Sequence, residues 1–208
     1  MLSTMMLLNL GILYADFVQR ADWSLHLGRA CILLFGMIVS MLGGRVIPFF
    51  TGRGAPSANV RSTPRLDKLL LAFSVLTLLV FFLSKPVELP ISPAALLTGL
   101  GALHLIRLLH WDTLATRTVP LLWSLHLTYL MLALVLMTVG LSHWLPQVRI
   151  ADAMHLVAVG TIGGMILAMM SRVALGHTGR PLQTPWYMNL AFALILVAAL
   201  VRFLLPTL

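Results

Sequence analysis

Long apolar stretches alternate with short clusters of proline, glycine and charged residues along the whole chain, and this pattern predicts helices. Seven stretches stand out, at about 2–15, 24–43, 67–84, 92–110, 119–142, 150–174 and 186–206. Crossing a membrane takes roughly 20 apolar residues at 1.5 Å rise per residue. The first stretch is the weakest, since its positions reach only about 21 Å against a hydrocarbon core of about 30 Å. It reads as a tilted or interfacial helix, or as the end of a longer one.

Proline marks the edges. Pro48, Pro64, Pro86, Pro90, Pro93, Pro120, Pro146, Pro181, Pro185 and Pro206 are expected in connectors or in the first or last turns of helices. The longest connector runs from Arg45 to Leu66 and carries Gly52, Gly54, Pro56, Ser57, Asn59, Ser62 and Pro64. It reads as a surface loop, and connectors of that length tend to be functional.

Composition places the chain in a membrane. It has 208 residues, 60% of them hydrophobic and only 10% charged, whereas soluble domains carry about 25% charged residues. The net charge of +8 would suit nucleic acid if it covered one polar face. Here the basic residues lie between apolar stretches, so orientation in the membrane is the expected meaning and no nucleic-acid partner is expected. Arg45, Arg53, Arg61, Arg65, Lys68, Arg107, Arg117, Arg172 and Arg180 fall on one side. Arg20, Arg29, Lys85, Arg149 and Arg202 fall on the other. The excess predicts the first side to be cytoplasmic, with the N-terminus inside and the C-terminus outside. The single cysteine, Cys31, rules out an intramolecular disulfide. Met1–Gly11 lacks a basic start and a clean small-residue cleavage site, so a cleavable signal peptide is not expected.

Topology sorts the seven histidines by depth. His26, His143 and His155 fall toward the outer face, and His104, His110, His126 and His177 toward the inner one. His126 and His155 differ in depth by roughly 12 Å if their helices stand upright, so they suit two polar layers better than one shared cofactor. A neutral imidazole is the commonest metal ligand and can hold haem iron or copper. His26 with His155 in the outer layer, and His104, His126 and His177 in the inner one, are the candidate ligands. The same residues could instead sit at headgroup level or bond across helices, and both readings stand open at this point. For His110 and His143, beside Trp111 and Trp144, interfacial anchoring is expected.

His177 belongs to Leu175-Gly176-His177-Thr178-Gly179-Arg180, where glycines allow a tight turn and a close approach. A helix C-cap with His and Arg at the negative end of the dipole explains much of this segment. Gly160, Gly164 and Ala168 form a small-residue stripe expected to pack against another helix. The methionine pairs Met37 with Met41 and Met165 with Met169 are read as core filling rather than copper(I) ligation. Acids are scarce: Asp16, Asp22, Asp67, Glu88, Asp112 and Asp152 all fall near helix ends. Asp152 precedes His155 by one turn, and capping the helix is its simplest role. HExxH, P-loop and GxSxG motifs are absent, as is any cysteine pair, which disfavours hydrolase chemistry and a carboxylate-driven pump.

Three segments point further. Gly43-Gly44-Arg45-Val46-Ile47-Pro48-Phe49-Phe50-Thr51, Pro120-Leu121-Leu122-Trp123-Ser124-Leu125-His126, and the stretch from His155-Leu156 to Gly176-His177-Thr178-Gly179-Arg180 together resemble the NnrS family. The resemblance covers roughly Gly43 to Arg180 and is specific in its order and spacing. It implies a polytopic inner-membrane protein of bacteria, linked to denitrification and nitric-oxide stress, that holds haem and copper. By position it singles out Gly44, Arg45, Pro48, Thr51, Trp123, His126, His155, Arg172, Gly176, His177, Thr178, Gly179 and Arg180. Family members are expected to open on a histidine-rich block of the His-x-His-Glu-Met kind, which this sequence does not contain. It therefore resembles the C-terminal portion of a member, and an N-terminal half or another membrane subunit is an expected partner.

The expected molecule is an all-α polytopic transmembrane helix bundle of about seven spans. Residues 1–208 form a single transmembrane domain with a cytoplasmic loop at about 44–66. Taken with the resemblance, the expected function is a contribution to nitric-oxide and nitrosative-stress response. Haem and copper would be held by His126, His155, His177, His26 and His104, with Arg45, Arg172 or Arg180 pairing with a haem propionate. The alternatives are a metal-free transporter or channel subunit for a small solute or anion, and a scaffold beside a nitric-oxide reductase. No nucleophile or proton-transfer constellation is visible, so enzymatic turnover is left open.

Overall fold

A computed structural model describes residues 2–87, 92–145 and 147–205. Glu88, Pro90, Pro146 and Pro206 lie outside the described residues. The described chain is helical and without strands. Its helices are α1 (Leu2–Phe17), α2 (Ala21–Gly54), α3 (Pro64–Leu83), α4 (Pro93–Leu109), α5 (Pro120–Leu141), α6 (Ile150–His177) and α7 (Trp186–Leu204). A 3-10 turn at Thr113–Thr116 joins α4 to α5. Five of the helices, α2, α3, α5, α6 and α7, are long and apolar enough to cross a membrane, while α1 and α4 are shorter. This is the expected all-α membrane bundle, with α5 as its most enclosed member.

The largest departure from expectation is α2. The segment from Arg45 to Leu66 was expected to be a loop, yet α2 continues for 34 residues to Gly54, and only 55–63 lies between helices. Pro48 is accordingly inside a helix rather than at an edge. Proline there removes one backbone hydrogen bond, a cost of about 3 kcal/mol in an unsupported helix. Packing overrides that local cost. Ser40, Gly43, Gly44, Ile47 and Thr51 form one buried face at helical spacing that runs past the proline without a break. The 55–63 connector is pinned against the α4–α5 turn. Asn59 donates its backbone N–H to Asp112 at 2.9 Å, and Arg61 donates to the carbonyl of His110 at 2.9 Å.

Helices α4 and α5 lie in close antiparallel contact because glycine leaves their backbones room. A Cβ on Gly101 would stand 2.6 Å from the Ala133 carbonyl oxygen, and one on Gly140 would stand 2.7 Å from that of Ala94. Small residues at membrane helix interfaces act in this way. The expected stripe on α6 also packs. Gly160 faces Ala199 of α7, Gly164 faces Thr128 of α5, and Ala168 is fully buried. Within α6, Leu156–Gly163 widens into a π-helix, a form that is rare and frequent at functional sites.

Asp152, expected to cap α6, makes no capping bond. Its buried carboxylate instead takes Arg202 of α7 at 2.9 Å and Arg149 at 3.5 Å, tying the last two helices together. Trp111 also departs from its expected anchoring role, being 1% exposed and packed in the interior. Substituting Gly101→Val should lower stability in detergent by about 1–3 kcal/mol through overpacking against backbone that cannot yield. Gly52→Ala, where nothing lies within 4 Å of the new methyl, should be near neutral. Thermal unfolding of the two variants checks the contrast.

Candidate functional site

Two adjoining polar clusters occupy the bundle interior where α2, α4 and α5 meet. The first is centred on Arg107, which lies in the last turn of α4 rather than in a cytoplasmic connector, and is 5% exposed. One terminal nitrogen reaches Asp67 of α3 at 2.8 Å. The other donates to the backbone carbonyl of Ser40 at 3.3 Å and to the phenol oxygen of Tyr129 at 3.2 Å. The Tyr129 hydroxyl in turn meets Nδ1 of His104 at 2.8 Å. The phenol oxygen accepts from Arg107, and the same hydroxyl is hydrogen-bonded to the His104 ring, tying the two side chains of α4 through Tyr129. The Arg107 guanidinium also stands 5.4 Å from the Trp111 ring centre.

The room for Arg107 comes from Gly44. A Cβ at that position would fall 1.9 Å from a guanidinium nitrogen and 2.2 Å from the guanidinium carbon. A Cβ on Gly43 beside it would stand 3.1 Å from the Tyr129 ring. The double glycine is thus a seat for two side chains of other helices.

The second cluster surrounds His126, which is fully buried. Thr51 gives its proton to the Ile47 carbonyl at 2.8 Å and therefore accepts from Nε2 of His126 at 2.8 Å. Nδ1 is left to accept from the Thr113 hydroxyl at 3.0 Å. Both ring nitrogens are engaged. Trp111 bridges the clusters, edge-on to His126 at 6.1 Å and tilted against Tyr129 at 4.7 Å between ring centres. Arg172 of α6, also buried, lays its guanidinium 3.9 Å from the centre of the Phe50 ring of α2.

These contacts join the three sequence segments. Thr51 with His126, and Phe50 with Arg172, place the Gly43–Thr51 segment against both of the others. Comparison with protein families gives the same answer: the family model described as NnrS protein matches residues 1–208. The chain belongs to the NnrS family. No curated protein and no solved structure gave a significant match.

The NnrS-family histidines do not converge. Among the described residues, no three His, Cys, Asp or Glu side chains are close enough to share a metal ion. His104 and His126 flank the Tyr129–Trp111 pair. His26 stacks on Phe81 at 5.0 Å and bonds through Nε2 to the Phe82 carbonyl at 3.2 Å, near the opposite end of the bundle. His177 is exposed at the end of α6. His155 is exposed on α6, its Nδ1 donating to the Ala151 carbonyl at 3.0 Å. Arg45 and Arg180 are exposed as well.

Tested against haem or copper, the interior does not fit as arranged, since a ligand from His126 would have to break one of two good hydrogen bonds. His155 fits a single ligation. Its carbonyl partner can only accept, which fixes the proton on Nδ1 and leaves the Nε2 lone pair open on the protein surface.

Sequence reasoning had passed over Arg107, Asp67, Tyr129, Thr113 and Trp111 as site residues. The signal for Arg107 was present, because an arginine inside the apolar stretch 92–110 marks a buried polar site as readily as it orients a loop. Gly44→Ala should expel the Arg107 guanidinium and cost about 1–3 kcal/mol by stranding its partners. Combining it with Arg107→Met should cost less than the sum of the two single changes. Additive losses in unfolding free energy would show that Gly44 and Arg107 are not coupled.

Proposed function

We propose that this NnrS-family chain works in a bacterial inner membrane as part of the nitric-oxide and nitrosative-stress response. In this reading it offers haem or copper a ligand at its surface, through Nε2 of His155, while the interior clusters serve as the rigid polar frame. The observation that carries the reading is the contrast between two histidines of the family segments. His126 spends both nitrogens inside the bundle, and His155 keeps one lone pair free and outward. A metal group at His155 would supply the coordination site for a small gas ligand.

The chain's own part in that reading is to present and orient the ligand. The backbone bond from Nδ1 to Ala151 holds the ring in one tautomer and makes Nε2 the better donor. Asp152, one turn before His155, is clamped between Arg149 and Arg202, which fixes the first turns of α6 under the ring. One exposed imidazole does not enclose a metal group, so the site is completed by a second membrane surface, in keeping with the expected partner half or subunit. Arg172, sequestered on Phe50, is a poor candidate for a propionate partner in this arrangement. Arg180 and Arg45 are exposed, but Arg180 follows the far end of α6 from His155 and Arg45 lies on the same side, so neither reaches a group bound at His155.

The protein purified from membranes in mild detergent should show a Soret band or bound copper. His155→Ala should abolish that signal, while His126→Ala should keep it and lower thermal stability instead. A signal lost in His126→Ala and kept in His155→Ala would place the ligand in the interior and overturn the surface assignment. Absence of haem and copper from the protein recovered from its native membrane would overturn the metal reading altogether.

A further inference from the structure

A further polar feature opens beside the Arg107 cluster and shares Arg107, Asp67 and Ser40 with it. Between α2 and α3 a crevice of about 290 Å³ is lined by Ser40, Arg45, Asp67, Lys68, Ser74 and Arg107, with methionine and leucine completing its walls. Three of these residues are cations and one is an anion. Asp67 is committed to Arg107. Among the described residues, Arg45 and Lys68 have no ion-pair partner. The crevice therefore holds an excess of positive charge that the protein does not neutralise.

Its inner end is not an ordinary solvated surface. Arg107 is 5% exposed, and its Nε–H is buried with no hydrogen-bond partner. The guanidinium still lines the crevice, and a buried cation gains from an oxyanion brought beside it. Arginine presents its N–H groups in a planar fork that matches tetrahedral and carboxylate-like oxyanions, and lysine adds a point charge.

Depth fits the same ligand. Helix α3 is 20 residues long, about 30 Å, which equals the thickness of the hydrocarbon core. Its first turn carries Arg65, Asp67 and Lys68 and so stands at one hydrocarbon boundary, where phosphate headgroups lie. Basic residues at that level are drawn to an anionic surface.

We propose that the α2–α3 crevice is a binding site for a phosphate-type oxyanion, with Arg45 and Lys68 meeting it at the mouth and Arg107 at its floor. Asp67 holds Arg107 in position and keeps one carboxylate in the site, which favours a singly charged phosphodiester over a multiply charged ion. A free phosphate ion and the headgroup of an anionic phospholipid share this chemistry, and the two are separable by experiment.

The protein in neutral detergent would be titrated in two arms, reading its thermal midpoint and its tryptophan emission, to which Trp111 beside Arg107 contributes. One arm uses inorganic phosphate against chloride at equal ionic strength. The other uses phosphatidylglycerol in mixed micelles against phosphatidylcholine. A saturable rise in the midpoint is expected in at least one arm, weakened at least tenfold in apparent affinity by Arg45→Gln with Lys68→Gln. Both positions are exposed, so the variant should fold as the parent does. Response to phosphatidylglycerol alone assigns the lipid, and response to phosphate assigns the free ion. The proposal is overturned if neither arm exceeds its control. It is equally overturned if the double variant responds as the parent does, or if Arg53→Gln, outside the crevice, weakens binding as much.

Discussion

An arginine placed among apolar helices must surround its charge with acceptors before the bundle can close around it. The penalty for a charged side chain reaches about 2.5–3.5 kcal/mol at the centre of a membrane helix on insertion scales, and for a side chain turned into the bundle it is offset by partners that arrive with the fold. In this chain the partners of Arg107 come from three other helices: Asp67 from α3, the Ser40 carbonyl from α2 and the Tyr129 hydroxyl from α5. No two neighbouring helices can supply that set. The position of Arg107 therefore fixes the mutual placement of four helices, and the rest of the interior is built around it. Gly44 is the steric half of the same constraint, since any side chain at that position would occupy the volume of the guanidinium.

The consequence runs along α2. Gly43 and Gly44 in mid-helix, followed by Pro48, read locally as a helix terminus, and each on its own weakens a helix. They are tolerated because the face they form carries Tyr129, Arg107 and, one to two turns later, the Thr51 bond to His126. Extending α2 to Gly54 also brings Phe50 under Arg172. A segment that terminated at Arg45 would leave His126 and Arg172 each short of a partner. The local cost of glycine and proline is thus offset by contacts before and after the proline, of which the Thr51–His126 bond and the Phe50–Arg172 contact need the continued helix.

This explains what could be read in the sequence and what could not. The helices were legible because apolar length is a property of contiguous residues, and the edges of α3 to α7 fell within a few residues of where composition put them. The family was legible from three segments in order. The extent of α2 was not legible, because the reasons for it lie on α5 and α6. Arg107 was misread for the same reason: a lone arginine near the end of an apolar stretch looks alike whether it faces headgroups or an aspartate on another helix. Trp111 beside His110 had the form of an interfacial pair, yet only the tryptophan turned inward, filling the space between Tyr129 and His126.

The histidines show most directly how placement decides chemistry. An imidazole has two nitrogens and, when neutral, one proton, so every hydrogen bond it makes narrows what it can still do. His104 is bonded to a phenol and His126 is closed on both sides, which makes them parts of the frame that holds α2, α4 and α5 in register. His155 bonds to a carbonyl that can take only a proton, and the remaining lone pair faces out of the bundle. His110 and His143 make the same backbone bond, to the carbonyls of Ile106 and Val139, so an open Nε2 is a recurrent product of a histidine bonding back one helical turn. What sets His155 apart is its support. It stands on a turn clamped by Asp152 to Arg149 and Arg202, followed directly by the π-helical segment. The outward lone pair of His155 is therefore carried on a turn that ion pairs tie to α7.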